Sequence, residues 1–166
     1  MAGPRRSREV KHPLGCHERA LRLLSVRPRS RRELQGRLLR AGFDPEEVQG
    51  ELERLESVGL IDDEQFAREY AEQQLGNRLA GRRAVRSALA AKGVDRGSVE
   101  LVLAEAGGDE TLRAEELARG RAPRFAGLPP EKAYARLVSF LMRRGHEPET
   151  ARRAARAALA VETTEE

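Results

Sequence analysis

The apolar residues of this chain follow a pattern that occurs three times and ends each time at a glycine: Gly42, Gly93 or Gly145. Apolar side chains stand eight, four and three residues before each glycine. These positions are Leu34, Leu38 and Leu39, then Val85, Leu89 and Ala90, then Leu137, Leu141 and Met142. The spacing places one apolar stripe along a helix. A glycine directly after such a stripe favours the left-handed conformation that ends many helices, so the pattern predicts three helices ending at these glycines.

A second helix is predicted to start shortly after each glycine. The residue after the glycine packs in a staple, the next one is acidic, and a small or apolar residue follows one turn later. These three sets are Phe43, Asp44 and Val48, then Val94, Asp95 and Val99, then His146, Glu147 and Ala151. The order is that of an acidic N-cap flanked by a hydrophobic staple. Pro45 and Pro148 occupy the first helical position, where proline is favoured.

Each unit also opens with an additional helix, which starts near His17, Asp62 or Asp109. At the second of these starts, Asp62 and Gln65 are spaced as a capping box. Turns are expected over 76–81 and 122–130. We therefore predict an all-α fold of three tandem three-helix, helix-turn-helix-like repeats in an elongated, curved arrangement. The predicted bounds are a basic disordered segment at 1–15, repeats at 16–61, 62–107 and 108–161, and an acidic tail at 162–166.

Composition supports thin helical layers rather than a thick core. Hydrophobic residues make up 39% of the chain, aromatic residues 4% and charged residues 35%. The net charge is +4, yet residues 1–40 hold twelve Arg or Lys against three Glu, which indicates a polyanionic partner or an acidic protein surface. No apolar run approaches the length of a membrane span. Cys16 is the single cysteine, which excludes an intrachain disulfide. We expect a cytoplasmic monomer that does not contact a membrane.

No residue pattern predicts catalysis, a cofactor or a metal. Asp62, Asp63 and Glu64 are adjacent acids, but no further ligand is spaced to complete a metal shell, and helix capping accounts for Asp62. His146 stands at a staple position, where packing is the expected role. The chain has no glycine-rich phosphate loop and no nucleophile–histidine–acid arrangement. We predict that the protein is not an enzyme.

Arginines recur at matching positions of the repeat. Arg31–Arg32 and Arg82–Arg83 stand eleven and ten residues before their glycines. The predicted basic face comprises Arg27, Arg29, Arg31, Arg32, Arg78, Arg82, Arg83, Arg143 and Arg144. The alternative is an ordinary solvated helix surface, and Arg143 and Arg144 also suit a helix C-terminus. Because few aromatic residues are available for base stacking, phosphate or acidic-protein contact is favoured over reading of bases.

These residues resemble the RecX family of regulators of the RecA recombinase. The resemblance rests on Ala20–Leu24, Arg29–Leu34, Gly59–Tyr70, Lys92–Val94 and Leu141–Gly145. It implies three tandem three-helix repeats, in agreement with the spacing. It also implies binding to the RecA–ssDNA–ATP filament, within the groove of that filament, and inhibition of its recombinase, ATPase and co-protease activities. The implied partners are the RecA filament and single-stranded DNA, with double-stranded DNA as a further ligand through phosphate contact.

Two other functions stay open on the sequence. The segment from Ser30 to Ile61 is similar to a winged-helix DNA-binding regulator, although such a fold requires two strands after Ile61. The second is a helical-repeat scaffold that binds a protein and has no nucleic-acid role.

Overall fold

A computed structural model describes residues 14–162, and side chains as far as Ala160. The predicted N-terminal segment and acidic tail lie almost wholly outside these residues. Within the described range the regular structure is helical and contains no strand, which confirms the predicted all-α fold. The helices are α1 (Cys16–Val26), α2 (Arg31–Arg40), α3 (Pro45–Ser57), α4 (Asp63–Glu72), α5 (Arg82–Ala91), α6 (Arg96–Glu105), α7 (Glu110–Arg121), α8 (Pro130–Arg143) and α9 (Pro148–Glu162). The chain divides into two compact units between Asp63 and Glu64, here called the N-terminal and C-terminal units.

The N-terminal unit packs α1, α2 and α3 around a core of mostly large aliphatic side chains. Its buried members are Cys16, Ala20, Leu34, Leu38, Phe43, Val48, Leu52, Leu55 and Ile61. The start of α2 is capped twice. The Ser30 hydroxyl accepts the backbone N–H of Glu33 at 3.1 Å, and the Asp63 carboxylate accepts that of Arg31 at 2.7 Å. Two of the N–H groups that a helix start leaves unpaired are thereby satisfied.

The C-terminal unit contains two cores, one for α4–α6 and one for α7–α9. The first is built from Phe66, Ala67, Ala71, Leu75, Ala80, Val85, Leu89, Val94, Val99, Val102 and Leu103. The second is built from Ala114, Ala118, Ala122, Leu137, Leu141, Ala151, Ala154, Ala155 and Ala158. Alanine dominates this last core, and small side chains at a contact allow helix axes to approach closely. The third repeat thus has three helices like the first, but its buried side chains are mostly alanine.

The three landmark glycines end their helices by one hydrogen-bond pattern. Gly42, Gly93 and Gly145 have φ of 95°, 82° and 89°. At the first, the N–H of Gly42 donates to the Leu39 carbonyl at 2.9 Å, and that of Phe43 donates to the Leu38 carbonyl at 3.4 Å. The corresponding pairs occur at the other two glycines, so each helix ends in a Schellman motif. Asp44 and Asp95 then cap the following helices, as predicted.

The predicted turn over 76–81 begins inside a helical segment. A π-helical turn occupies Gln73–Asn77, and the N–H of Arg78 donates to the Gln73 carbonyl at 3.3 Å. This wider turn keeps Leu75 buried while the chain leaves the α4 axis. The linker then passes through Leu79, which has φ of 50°. The predicted turn over 122–130 likewise starts with a 3₁₀ turn at Ala122–Phe125.

Candidate functional site

The predicted arginines of the N-terminal unit are mostly held by carboxylates. Arg29 is 6% exposed; its Nε donates to the Leu23 carbonyl at 3.0 Å and its Nη1 pairs with Glu33 Oε1 at 2.6 Å. Arg27 pairs with the same Glu33 carboxylate. Arg31 Nε lies 2.9 Å from Glu56 Oε1. Each of these three guanidinium groups therefore has a carboxylate partner, with Glu33 shared by two of them, and Arg29 belongs to the packing of the unit.

Arg32 differs from its neighbours on α2. Its side chain is exposed, and it has no hydrogen-bond or ion-pair partner among residues 14–162. Of the four arginines predicted in this unit, it is the one without a carboxylate partner among the described residues.

The other five predicted arginines lie in the C-terminal unit, before or at the start of α5 and at the end of α8, on either side of the contact between α5 and the turn that joins α8 to α9. We call this set the arginine junction: Arg78, Arg82, Arg83, Arg143 and Arg144. The guanidinium groups of three of them donate to neutral backbone carbonyls. Arg82 Nη2 donates to the Gly107 carbonyl at 3.3 Å, and Arg83 Nη2 donates to the Met142 carbonyl at 3.1 Å. Arg144 Nη2 donates to the Arg78 carbonyl. A carbonyl does not neutralise a guanidinium, so the positive charge is retained.

Two glycines bring the backbones together at the arginine junction. The Gly81 N–H donates to the Arg144 carbonyl at 2.9 Å. A Cβ added at Gly81 would overlap the backbone of Gly145, and one added at Gly145 would stand 2.8 Å from the Cα of Ala84. Real Cβ atoms do not approach backbone so closely. The contact therefore requires glycine at both positions, and the sequence pattern indicated only Gly145.

His146 packs beneath the same junction. It is fully buried, and its Nε2 lies 3.0 Å from the Leu79 carbonyl. Because a carbonyl can only accept, the ring proton is on Nε2. Its Nδ1 lies 3.6 Å from Glu110 Oε1, beyond hydrogen-bond distance. Burial lowers the pKa of His146, which favours the neutral ring. The packing role expected of this residue is confirmed, whereas its bond to Leu79 had no signal in the local sequence.

A groove of about 560 Å³ opens beside the junction, within the C-terminal unit. Its polar lining residues are Gln74, Asn77, Arg78, Arg143 and Arg144, and none of the described residues that line it is acidic. Ala80 and Ala84 form part of its walls. Arg78 and Arg143 are exposed and have no carboxylate partner among the described residues. The groove thus combines three cations with two amide groups.

The acidic residues near α4 have a structural role. Asp62 directly precedes α4, at the position predicted for its N-cap, and Asp63 accepts the Arg31 N–H. Burial raises the pKa of the Asp63 carboxyl. Within the described residues, no group of three or more His, Cys, Asp or Glu side chains is arranged to hold a metal ion. None of the helices described is both long and apolar enough to cross a bilayer.

Comparison with protein-family models finds three successive matches. Residues 16–55 match the first three-helix domain of RecX, residues 62–103 match the second, and residues 109–155 match the third. The order is the order of the three cores along the chain. Together the matches cover most of the described residues.

The chain is also similar to curated proteins and to solved structures. It is 39% identical over 132 residues to the regulatory protein RecX of Mycobacterium tuberculosis, covering 76% of this chain and 75% of that protein. It is 38% identical over 144 residues to that of Mycobacterium avium, covering 86% and 83%. The crystal structure of RecX from Lactobacillus salivarius superposes with a TM-score of 0.71 at 19% identity, covering 86% of this chain and 94% of that one. A second crystal structure of regulatory protein RecX gives a TM-score of 0.72 at 22% identity, covering 81% and 67%.

Proposed function

The chain belongs to the RecX family of regulatory proteins, and on that premise we propose that it binds the RecA–ssDNA–ATP filament and inhibits its recombinase, ATPase and co-protease activities. The observation that carries the proposal is the presence of all three family domains, in order, between residues 16 and 155. A chain with three similar domains in a row can contact a helical polymer at repeated positions. The role is regulatory binding in the cytoplasm by a monomer, without catalysis.

The charge distribution supports a polyanionic target. The arginine junction and Arg32 present guanidinium groups that no carboxylate of the described residues balances. Such groups attract DNA phosphates or acidic protein surface over a distance set by ionic strength. Arg29 is left out of the proposed contact surface because it is nearly buried in its own unit.

The proposal is tested with RecA from the same organism. Purified protein is titrated into the ssDNA-dependent ATPase assay and the LexA-cleavage assay. We expect both activities to fall with increasing concentration of the protein. The control adds the protein either before or after RecA has assembled on the ssDNA, which separates an effect on free RecA from one on the formed filament. Unchanged ATPase and LexA cleavage across a wide concentration range would overturn the proposal.

A winged-helix transcription regulator is the weaker candidate. The wing would need two strands after Ile61, and the described chain continues there into α4. Tight, sequence-selective binding to duplex DNA without RecA would favour this alternative. A scaffold that binds only protein is tested by the DNA-binding measurements described below.

A further inference from the structure

We propose that the groove beside the arginine junction is a binding subsite for the phosphodiester backbone of single-stranded DNA. The inference rests on the proposed function and goes beyond it, because it assigns DNA contact to one groove of the C-terminal unit. The polar groups of this groove are Arg78, Arg143 and Arg144 together with the amides of Gln74 and Asn77. Each of them can donate hydrogen bonds to phosphate oxygens.

The groove has an uncompensated positive charge. No Asp or Glu lines it, and the guanidinium of Arg144 donates to a neutral carbonyl. In contrast, Arg86 on the outer part of α5 pairs with Glu100 at 2.7 Å, and Arg68 on α4 pairs with Glu64 and Glu105. Among the described residues, the guanidinium groups of the groove thus lack the carboxylate partners that Arg68 and Arg86 have.

Arg144 is held in place before any ligand arrives. Its guanidinium donates to the Arg78 carbonyl, and its Cζ lies 5.9 Å from the centre of the Phe140 ring. Its own carbonyl accepts the Gly81 N–H at 2.9 Å. An immobilised guanidinium loses little conformational entropy when it binds an anion. Arg78 and Arg143, which are exposed, then supply the adaptable contacts on either side.

The chemistry favours nucleic acid over an acidic protein surface. A groove lined by cations and hydrogen-bond donors is typical of a surface that follows the phosphate backbone of a single strand. The apolar lining residues are Leu79, Ala80, Ala84 and Leu117, and none of the described lining residues is aromatic. A subsite of this composition holds the backbone without stacking on bases, so it binds without sequence preference.

The test uses the full chain with Arg78→Gln and Arg143→Gln combined, leaving the anchored Arg144 intact. The matched control is Arg124→Gln with Arg136→Gln, which removes the same charge from two exposed arginines of the C-terminal unit that do not line the groove. Binding of a fluorescently labelled oligothymidylate, without RecA, is measured by anisotropy over a range of salt concentrations. Far-UV CD verifies that both variants are folded.

For the groove variant we expect affinity at about 0.1 M salt to fall roughly 10- to 30-fold. The slope of log K against log salt should decrease by about 0.7 for each phosphate that the variant no longer neutralises. The control should lose less than about threefold in affinity. Equal losses in the two variants would overturn the subsite, since the effect would then be one of net charge.

The ATPase assay with RecA separates this inference from the proposed function. If the groove variant binds the oligonucleotide like the unmodified protein but no longer inhibits RecA, the groove contacts protein and the phosphodiester subsite is wrong, while the proposed function stands. If the unmodified protein binds the oligonucleotide through the groove yet does not inhibit RecA, the proposed function is wrong and the subsite stands. Absence of oligonucleotide binding by the unmodified protein at low salt also overturns the subsite.

Discussion

The N-terminal and C-terminal units use the same arginine pair in different ways. Arg31 and Arg82 occupy equivalent positions in their repeats, one residue before Arg32 and Arg83. Arg31 pairs with Glu56 at 2.9 Å, whereas Arg82 donates to the Gly107 carbonyl at 3.3 Å. The two arginines occupy equivalent positions but have different partners, a carboxylate for Arg31 and a neutral carbonyl for Arg82.

The electrostatic potential that a charged ligand would experience therefore differs between these two arginines. An ion pair cancels most of the charge of an arginine, while a hydrogen bond to a carbonyl leaves it. In the N-terminal unit, Arg27, Arg29 and Arg31 form ion pairs that support the fold. At the arginine junction, Arg82, Arg83 and Arg144 support the fold by hydrogen bonds to backbone carbonyls, and no carboxylate of the described residues pairs with their positive charge. On the proposed function, a stabilising role and a binding role coexist in the arginine junction.

The largest expected effect on stability comes from adding a side-chain carbon at Gly145, where the backbone of Ala84 is in close contact. Gly145→Ala places a Cβ against the backbone of Ala84 and forces alanine to φ near 89°. We expect a loss of about 3 kcal/mol or more in the free energy of unfolding, from overpacking and left-handed strain together. The measurement is urea unfolding followed by far-UV CD.

The matched control for that substitution is Gly59→Ala in the N-terminal unit. Gly59 has φ of 75°, but nothing lies within 4 Å of a Cβ added there. Only the conformational strain applies, so the expected loss is about 1 kcal/mol. Equal losses for the two substitutions would show that close packing at the junction contributes nothing.

The next effect concerns the buried arginine of the N-terminal unit. Arg29→Met removes one of the two guanidinium partners of Glu33, whose carboxylate is largely buried, together with the bond to the Leu23 carbonyl. We expect unfolding to become easier by about 2–3 kcal/mol. Arg32→Met, on the exposed side of α2, should change stability by less than about 0.5 kcal/mol. Thermal unfolding of both variants measures the contrast, and a stable Arg29→Met protein would contradict the structural role.

Charge reversal tests which unit carries the contact with RecA. Arg82→Glu with Arg83→Glu should weaken inhibition of the RecA ATPase about tenfold, equivalent to about 1.4 kcal/mol. Arg31→Glu with Arg32→Glu should weaken it less than about threefold, because Arg31 is already paired with Glu56. The inhibitory concentration is compared for both variants after CD verifies folding. A greater loss from the N-terminal pair would reverse the comparison between the units.

The smallest expected effect is a pH dependence at His146. Burial lowers the pKa of this histidine, and Glu110, Arg113 and Arg144 face it. As pH falls below about 6.5, the unfolded chain takes up the proton first, so the free energy of unfolding decreases. His146→Phe should lose this part of the pH dependence and also lose the bond to Leu79. Urea midpoints between about pH 7.5 and 5.5 test this, and parallel profiles for the two proteins would contradict it.

Local sequence was sufficient for most of the fold. The Schellman motif at Gly42 involves only Leu38 to Phe43, and the N-cap at Asp44 bonds to Glu46. Interactions this close along the chain depend on the residues themselves, so their spacing predicts them. The π-helical turn at Gln73–Asn77 was not predicted because its form depends on the route of the following linker. The staple position of His146 was predicted, but its hydrogen bond was not.

The sequence by itself determined where the helices begin and end, that three similar units follow one another, and that arginines recur in them. Only the tertiary structure decided which arginines have a carboxylate partner and which donate to a neutral carbonyl. Arg144 bonds to a carbonyl 66 residues away, Arg83 to one 59 residues away, and His146 to one 67 residues away. No spacing rule reaches over such distances, because these contacts exist only after the second and third cores have packed together. The physical reason is that charge depends on neighbours in space, whereas helix ends depend on neighbours in sequence.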